Sequence, residues 1–200
     1  MHNNILLFTR NDALAWAYWA SYGTWFLMEN WIRFRDRREA KGIDADRGTM
    51  YAIMAAVPIA ILGAFTAAFM LPRAQFANAG LPLLIAALVL IWGGMALRLW
   101  SVLTLGRFFR TVVRLHDDHE LVTHGPYRLL RHPSYTGSLL SFLGLGLAIG
   151  NWMSVLIAVV PPLIAFIWRL QVEEAALAGR FGQLFEDQRR RSWRLIPFIW

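Results

Sequence analysis

Two stretches of the chain carry most of the side chains with the means to do chemistry. The first, residues 105–137, reads LGRFFRTVVRLHDDHELVTHGPYRLLRHPSYTG and holds four of the five histidines, His116, His119, His124 and His132. The second, residues 169–200, opens on Arg169, Glu173 and Glu174 and ends in the basic run Arg189, Arg190, Arg191 and Arg194. Arg169 and Glu173 are four residues apart and share a helix face. Together the two stretches offer an imidazole for proton transfer, carboxylates for a cation and guanidiniums for an anion. There is no cysteine, which excludes a thiolate nucleophile, a disulfide framework and a Cys-ligated metal. His116, His119 and His124, with Asp117 and Asp118 between them, follow no standard zinc spacing, and no metal is expected.

The elements that must position these groups belong to a membrane protein. Hydrophobic residues make up 57% of the 200 and charged residues 16%, against about 45–50% and about 25% in soluble domains. Ten Trp and thirteen Phe point the same way, because aromatic side chains collect at membrane interfaces. A hydrocarbon core about 30 Å thick takes roughly 20 apolar residues of helix. Five segments are read as spans: 13–31, rich in Trp and Tyr and ending in Glu29-Asn30; 50–71, without charge; 81–100, with Arg98 near its end; 138–149, which is short; and 152–168, with Pro161-Pro162 in its middle. Gly150-Asn151 predicts a tight turn, so the last two spans form a helical hairpin. Gly144, Gly146 and Gly150 permit close backbone approach to a neighbour.

The net charge of +7 does not indicate nucleic acid, because the basic residues sit between the apolar runs. Arg33, Arg35, Arg37, Arg38, Lys41 and Arg47 fall between spans 1 and 2; Arg107, Arg110, Arg114, Arg128 and Arg131 between 3 and 4; and the remainder in the tail. The opposite face has only Arg10 and Arg73. That alternation predicts an outside N-terminus and a cytoplasmic C-terminus. Lys41 is the only lysine among 20 basic residues, which suggests a GC-rich bacterial genome and hence the bacterial inner membrane. No cleaved signal peptide is expected, since the first residues lack a basic region and a small-residue cleavage site. The expected fold is an all-α integral membrane domain over residues 1–200. Three spans occupy 1–100, and a catalytic region with the hairpin and tail occupies 101–200.

GPYRLLRHPSYTG, followed about thirty residues later by RLQVEEAALAGRFG, resembles the signature of the isoprenylcysteine carboxyl methyltransferase family. That pattern joins Arg131, His132, Pro133, Tyr135 and Gly137 to Glu173 and Glu174 across the last hairpin. LRLWSVLTLGRFF upstream, and Phe181-Gly182 with the basic run ending in LIP downstream, extend the likeness to roughly residues 95–200; the first two spans contribute topology only. The resemblance implies an S-adenosylmethionine-dependent carboxyl O-methyltransferase acting on a prenylated cysteine or a similar lipophilic carboxylate. It implies that the cofactor is held by His119, Leu121, Val122, Tyr127, His132, Pro133, Ser134, Tyr135 and Glu173, with Glu174 beside it. Arg169 would serve the substrate, and a cytoplasmic cofactor pocket would lie between the 3–4 connection and the C-terminal segment. The sequence departs from the pattern near Arg114, where Gln is common, and at Phe185 and Gln188, where Tyr is common.

The residue types suit that chemistry. The ammonium of the cofactor takes a carboxylate, Glu173 or Glu174, and its carboxylate takes donors such as His132, Arg131 or backbone amides. Adenine and sulfonium favour aromatic faces, which Tyr127 and Tyr135 offer. A carboxylate acceptor is ionised at neutral pH and needs orientation by Arg169 or Arg131, not a base; a thiol or amine acceptor would call on His. A lipid tail enters from the bilayer between helices. Plainer readings stand beside these. Arg131 and Arg169 also read as interfacial residues reaching for the headgroups, His132 as a helix-ending residue before proline, and Glu173-Glu174 as a polar helix face. Arg189–Arg191 are read as anchors at anionic lipid, Pro161-Pro162 as a kink that shapes the cavity, and Glu29 as interfacial. S- or N-methylation of a small thiol or phospholipid amine, a nicotinamide-dependent lipid or sterol reductase, and a non-enzymatic transporter or scaffold are the competing functions. Membrane lipid and a lipophilic or prenylated substrate are the expected partners, with neither nucleic acid nor metal.

Overall fold

A computed structural model describes residues 6–37, 43–44, 46–77, 79–109, 114–115 and 121–200. Each apolar segment becomes one helix: α1 Asp12–Arg37, α2 Thr49–Met70, α3 Leu81–Leu105, α4 Pro133–Ile149 and α5 Trp152–Phe181. A short polar helix, α6 Gln183–Arg191, follows. Two-residue strands β1 Ile43–Asp44 and β2 Arg114–Leu115 pair antiparallel. Among the described residues three helices are long and apolar enough to cross a membrane, those of α2, α3 and α5; α4 is apolar but shorter. Leu62, Val89 and Ile164, midway along those three helices, are 68%, 65% and 63% exposed. Such outward apolar side chains have no favourable contact with water and fit lipid.

The helices do not pack in chain order. α1 packs on α3, α3 on α4, α4 on α5 and α5 on α2. α1 and α2, consecutive in sequence, therefore end the row. They meet through a Trp19–Phe65 stack with ring centroids 6.1 Å apart, while Phe8 stacks on Tyr18 at 3.9 Å.

Glycine sets the spacing of α3, α4 and α5. A Cβ on Gly137 would lie 2.6 Å from the Gly94 carbonyl oxygen and 2.7 Å from the Arg98 nitrogen; one on Gly144 would lie 2.5 Å from the Ala87 oxygen. The expected hairpin is present. Gly150 ends α4 in the left-handed region at φ 86°, and Asn151 caps α5 by accepting from the amides of Met153 at 2.9 Å and Ser154 at 3.2 Å. Asn151 also donates to the Leu71 carbonyl at 2.9 Å, tying the turn to the end of α2. α5 continues through Pro161 and Pro162 to Phe181, about three and a half turns beyond the segment read as span 5. Its last part carries Arg169, Glu173 and Glu174.

The tail returns to the site. Residues 193–194 run beside residues 129–132, with the amides of Arg131 and His132 donating to the carbonyls of Trp193 at 2.7 Å and Arg194 at 3.2 Å. Thr136 Oγ1 on α4 donates to the Leu195 carbonyl at 2.8 Å.

Candidate active site

A cavity with about 1480 Å³ of empty space, its open mouth included, lies between the row ends α1 and α2 and the polar groups of α4 and α5. Trp25, Glu29 and Arg33, four residues apart on one face of α1, line one side, and Met50, Ile53, Met54 and Val57 of α2 line another. Phe142 and Phe166 belong to its apolar part. The polar part is built by Arg131, His132, Ser134 and Tyr135 around the start of α4 and by Arg169 and Glu173 on α5. Leu121, Val122, Tyr127, Phe185 and Gln188 add a mixed wall.

The local backbone explains the polar wall. Pro133 is the first residue of α4, where its missing N–H costs nothing, and His132 is the flanking residue. His132 therefore sits at the mouth of the helix, 4% exposed. Gly137 lets α4 approach α3, which brings Ser134 within reach of Arg98: Arg98 Nη1 donates to Ser134 Oγ at 2.8 Å.

The two adjacent glutamates have different surroundings. Glu174 is buried and accepts from Arg131 Nε at 3.0 Å, from Arg194 Nε at 3.2 Å and from Arg194 Nη2 at 2.5 Å, with His132 Nε2 at 3.2 Å. It thereby fastens the C-terminal tail to the segment before α4. Glu173 faces the cavity with its side chain 30% exposed. Tyr135 donates to its Oε2 at 3.0 Å, and His132 Nδ1 stands 3.8 Å from Oε1. Among the described residues no arginine pairs with it.

Arg169 is 2% exposed. Its Nε donates to the Tyr135 hydroxyl oxygen at 2.8 Å, and its Nη1 to Asp46 Oδ1 and, at 3.1 Å, to Thr49 Oγ1. Arg98 makes a bidentate pair with Glu29, through Nε and, at 2.7 Å, through Nη2. Burial raises the Tyr127 hydroxyl well above the ordinary phenol range, and the nearby Glu173 charge raises it further. Tyr127 thus stays protonated, with its hydroxyl 3.4 Å from the Ser101 carbonyl.

Of the residues read as cofactor-binding, Leu121, Val122, Tyr127, His132, Ser134, Tyr135 and Glu173 come together on the cavity wall; Pro133 and Glu174 are not among the lining residues. His119 lies outside the described residues, as does His116. Arg131 and Arg169 both reach the wall, and both have carboxylate partners. Phe185 and Gln188, the two departures from the pattern, also line it. The first two spans do more than set topology, since both line the cavity. Glu29 is 8% exposed and paired, so it is not an interfacial carboxylate facing water. Asp46 was not singled out by the sequence at all. Its one available signal was position: an acid three residues ahead of Thr49, in the capping spacing, within an otherwise basic connection.

The model of the phospholipid methyltransferase family matches residues 83–184, half of the chain. The chain belongs to that family. Within it, the similarity runs to isoprenylcysteine carboxyl methyltransferases, as the motifs implied. A probable protein-S-isoprenylcysteine O-methyltransferase of Oryza sativa subsp. indica is 36% identical over 114 residues, 56% of this chain and 60% of that protein. The protein-S-isoprenylcysteine O-methyltransferase of Schizosaccharomyces pombe is 35% identical over 108 residues, 53% and 46% of the two chains. The solved structure of a eukaryotic intramembrane Ras methyltransferase, isoprenylcysteine carboxyl methyltransferase, superposes with a TM-score of 0.61 at 29% identity, covering 73% of this chain and 52% of that one. The matched region spans less than two thirds of these relatives' length. With the apolar helices, this makes the chain a predominantly helical integral membrane member of the family.

Proposed function

We propose that this family member transfers a methyl group from S-adenosylmethionine to the carboxylate of a prenylcysteine or a similar lipophilic acid. The observation that carries this reading is Glu173: a partly exposed carboxylate without an arginine partner among the described residues, set in a cavity that also has an apolar side on α2. A carboxylate left in that condition suits a ligand that brings its own cation. The methyl donor is such a ligand; its ammonium would meet Glu173, and its sulfonium supplies an electrophilic methyl. Tyr127 and Tyr135 offer aromatic faces, and Leu121, Val122 and Phe185 an apolar seat for adenine. His132 holds the imidazole between Glu173 and Glu174. The apolar surface of α2, with Trp25 of α1 and with Phe142 and Phe166, would receive the lipid tail.

An acceptor carboxylate is already ionised, so positioning suffices for in-line transfer. Arg98 and Arg169, each paired with a carboxylate, line the cavity with guanidinium N–H donors for that purpose, and Arg131 stiffens the wall through Glu174. Residues 1–200 then act as one membrane domain with the reacting groups in 101–200. The cavity, with Arg33, Arg131 and Gln188 in its lining, faces the cytoplasm, the side where basic connections collect, with the N-terminus outside.

Titration calorimetry of the detergent-purified chain with S-adenosylmethionine and S-adenosylhomocysteine tests the donor. Saturable binding that disappears in Glu173→Gln is expected; a folded sample that binds neither overturns the reading. Methyl transfer to a farnesylcysteine analogue, run beside phosphatidylethanolamine, then tests the acceptor. Transfer only to the amine would replace the carboxylate acceptor with a phospholipid one.

A further inference from the structure

Arg169 and Glu173 lie one turn apart on α5, spaced as partners, yet they do not pair. The Tyr135 hydroxyl stands between them, accepting from Arg169 Nε at 2.8 Å and donating to Glu173 Oε2 at 3.0 Å. The guanidinium is drawn the other way, its Nη1 pointing to Asp46 Oδ1. Asp46 is held firmly: Thr49 Oγ1 donates to its Oδ1 at 2.9 Å, and the Met50 amide to its Oδ2 at 2.9 Å. Both donors belong to the first turn of α2, whose amide end favours a fixed negative charge. Asp46 is 6% exposed and Thr49 fully buried. Asp46 also lies outside the region matched by the family model, residues 83–184.

We infer that Asp46 is a positioning residue that holds Arg169 away from Glu173 and so keeps the Glu173 carboxylate available to a cationic ligand. This rests on the methyl-donor reading above. Without the Asp46 charge, the Glu173 carboxylate is the nearest anion along the Arg169–Tyr135 line. A buried guanidinium does not remain unpaired beside a carboxylate one turn away. Arg169 then pairs with Glu173, and the ammonium of the methyl donor has to compete with a partner tethered on the same helix.

The test uses the full chain in detergent and two probes, S-adenosylmethionine and 5′-deoxy-5′-methylthioadenosine. The second keeps the nucleoside and sulfur but lacks the charged amino-acid arm. Asp46→Asn is expected to raise the Kd for S-adenosylmethionine about tenfold or more, the scale of one charged hydrogen bond, and to leave the thioadenosine Kd unchanged. Asp46→Asn combined with Arg169→Met should recover most of the loss, because the competing cation is gone. A loss shared equally by both probes, an unchanged Kd in Asp46→Asn, or a double variant no better than the single one overturns the inference. Asp46 also accepts from the Thr49 hydroxyl and the Met50 amide in the first turn of α2, so Asp46→Asn could misfold. Arg169→Met alone then decides: retention of S-adenosylmethionine binding within about threefold supports the inference, and loss of binding overturns it. A wild-type chain that binds neither probe defeats the methyl-donor reading itself, a result distinct from wild-type binding that Asp46→Asn leaves untouched.

Discussion

Replacing Glu174 by Gln tests whether two neighbouring carboxylates divide the work between fastening and binding. Glu174 accepts from Arg131 Nε at 3.0 Å and from Arg194 Nε and Nη2 at 3.2 and 2.5 Å, with His132 Nε2 at 3.2 Å. Gln keeps one acceptor oxygen and turns an amide NH2 toward donors, so at least two charge-assisted bonds are lost. Each contributes about 1.5–3 kcal/mol, and breaking one side of a buried pair costs about 3–5 kcal/mol. The Arg194 side chain is 20% exposed and can relax toward water, so the low end, ~3 kcal/mol, applies. For a chain of this length that corresponds to a drop in Tm of about 6–12 °C. Glu173→Gln, which loses the charge of a 30% exposed side chain bonded to one tyrosine, should move Tm by no more than about 2–4 °C while abolishing saturable S-adenosylmethionine binding. Thermal melts followed by tryptophan fluorescence, beside calorimetric titration, read both quantities on the same samples. Glu174→Gln melting with the wild type while losing the cofactor would refute the division of roles.

Gly137→Val should separate α4 from α3, because the added Cβ would meet the Gly94 oxygen at 2.6 Å and the Arg98 nitrogen at 2.7 Å. A loss of about 1–3 kcal/mol from overpacking is expected, visible as a lower melting temperature, with Gly93→Ala, which meets nothing within 4 Å, as the control. Glu29→Gln leaves Arg98 with half of its bidentate pair; an altered KM for the lipid acceptor at near-constant cofactor Kd is the expected split in a methyl-transfer assay. Tyr127 should show a stability signature at high pH. Its folded-state pKa is raised above the ordinary value of 10.0, so above about pH 10 the unfolded chain has lost a proton that the native one keeps, and stability falls as pH rises. The Tm of the wild type should therefore decline more steeply past pH 10 than that of Tyr127→Phe, with no Tyr127-dependent change between pH 6 and 9.

The helices were legible in the sequence because a lipid environment demands long apolar runs, and each of the five runs became one helix. The hairpin was legible because Gly150 and Asn151 do local work: one supplies a left-handed turn, the other caps α5. The motif residues were legible as a group, since RHPSY and the Glu-Glu pair carry their chemistry in a short span. Their division of labour was not. Glu173 and Glu174 are the same residue type on consecutive positions, and only the rotation of α5 against the returning tail sends one to the cavity and the other to Arg131 and Arg194. Glu29 and Asp46 were illegible as site residues for a related reason. Their partners, Arg98 and Arg169, lie 69 and 123 positions away; Asp46, in a connection full of arginine, reads as ordinary surface charge, and Glu29 reads as the polar end of a span. Hydropathy and local turn chemistry, which act within a few residues, determined the elements from the sequence alone. Which charges meet inside the cavity was decided only when α1 and α2 closed the ends of the helix row, because ion pairing depends on distance in space and carries no trace in the spacing along the chain.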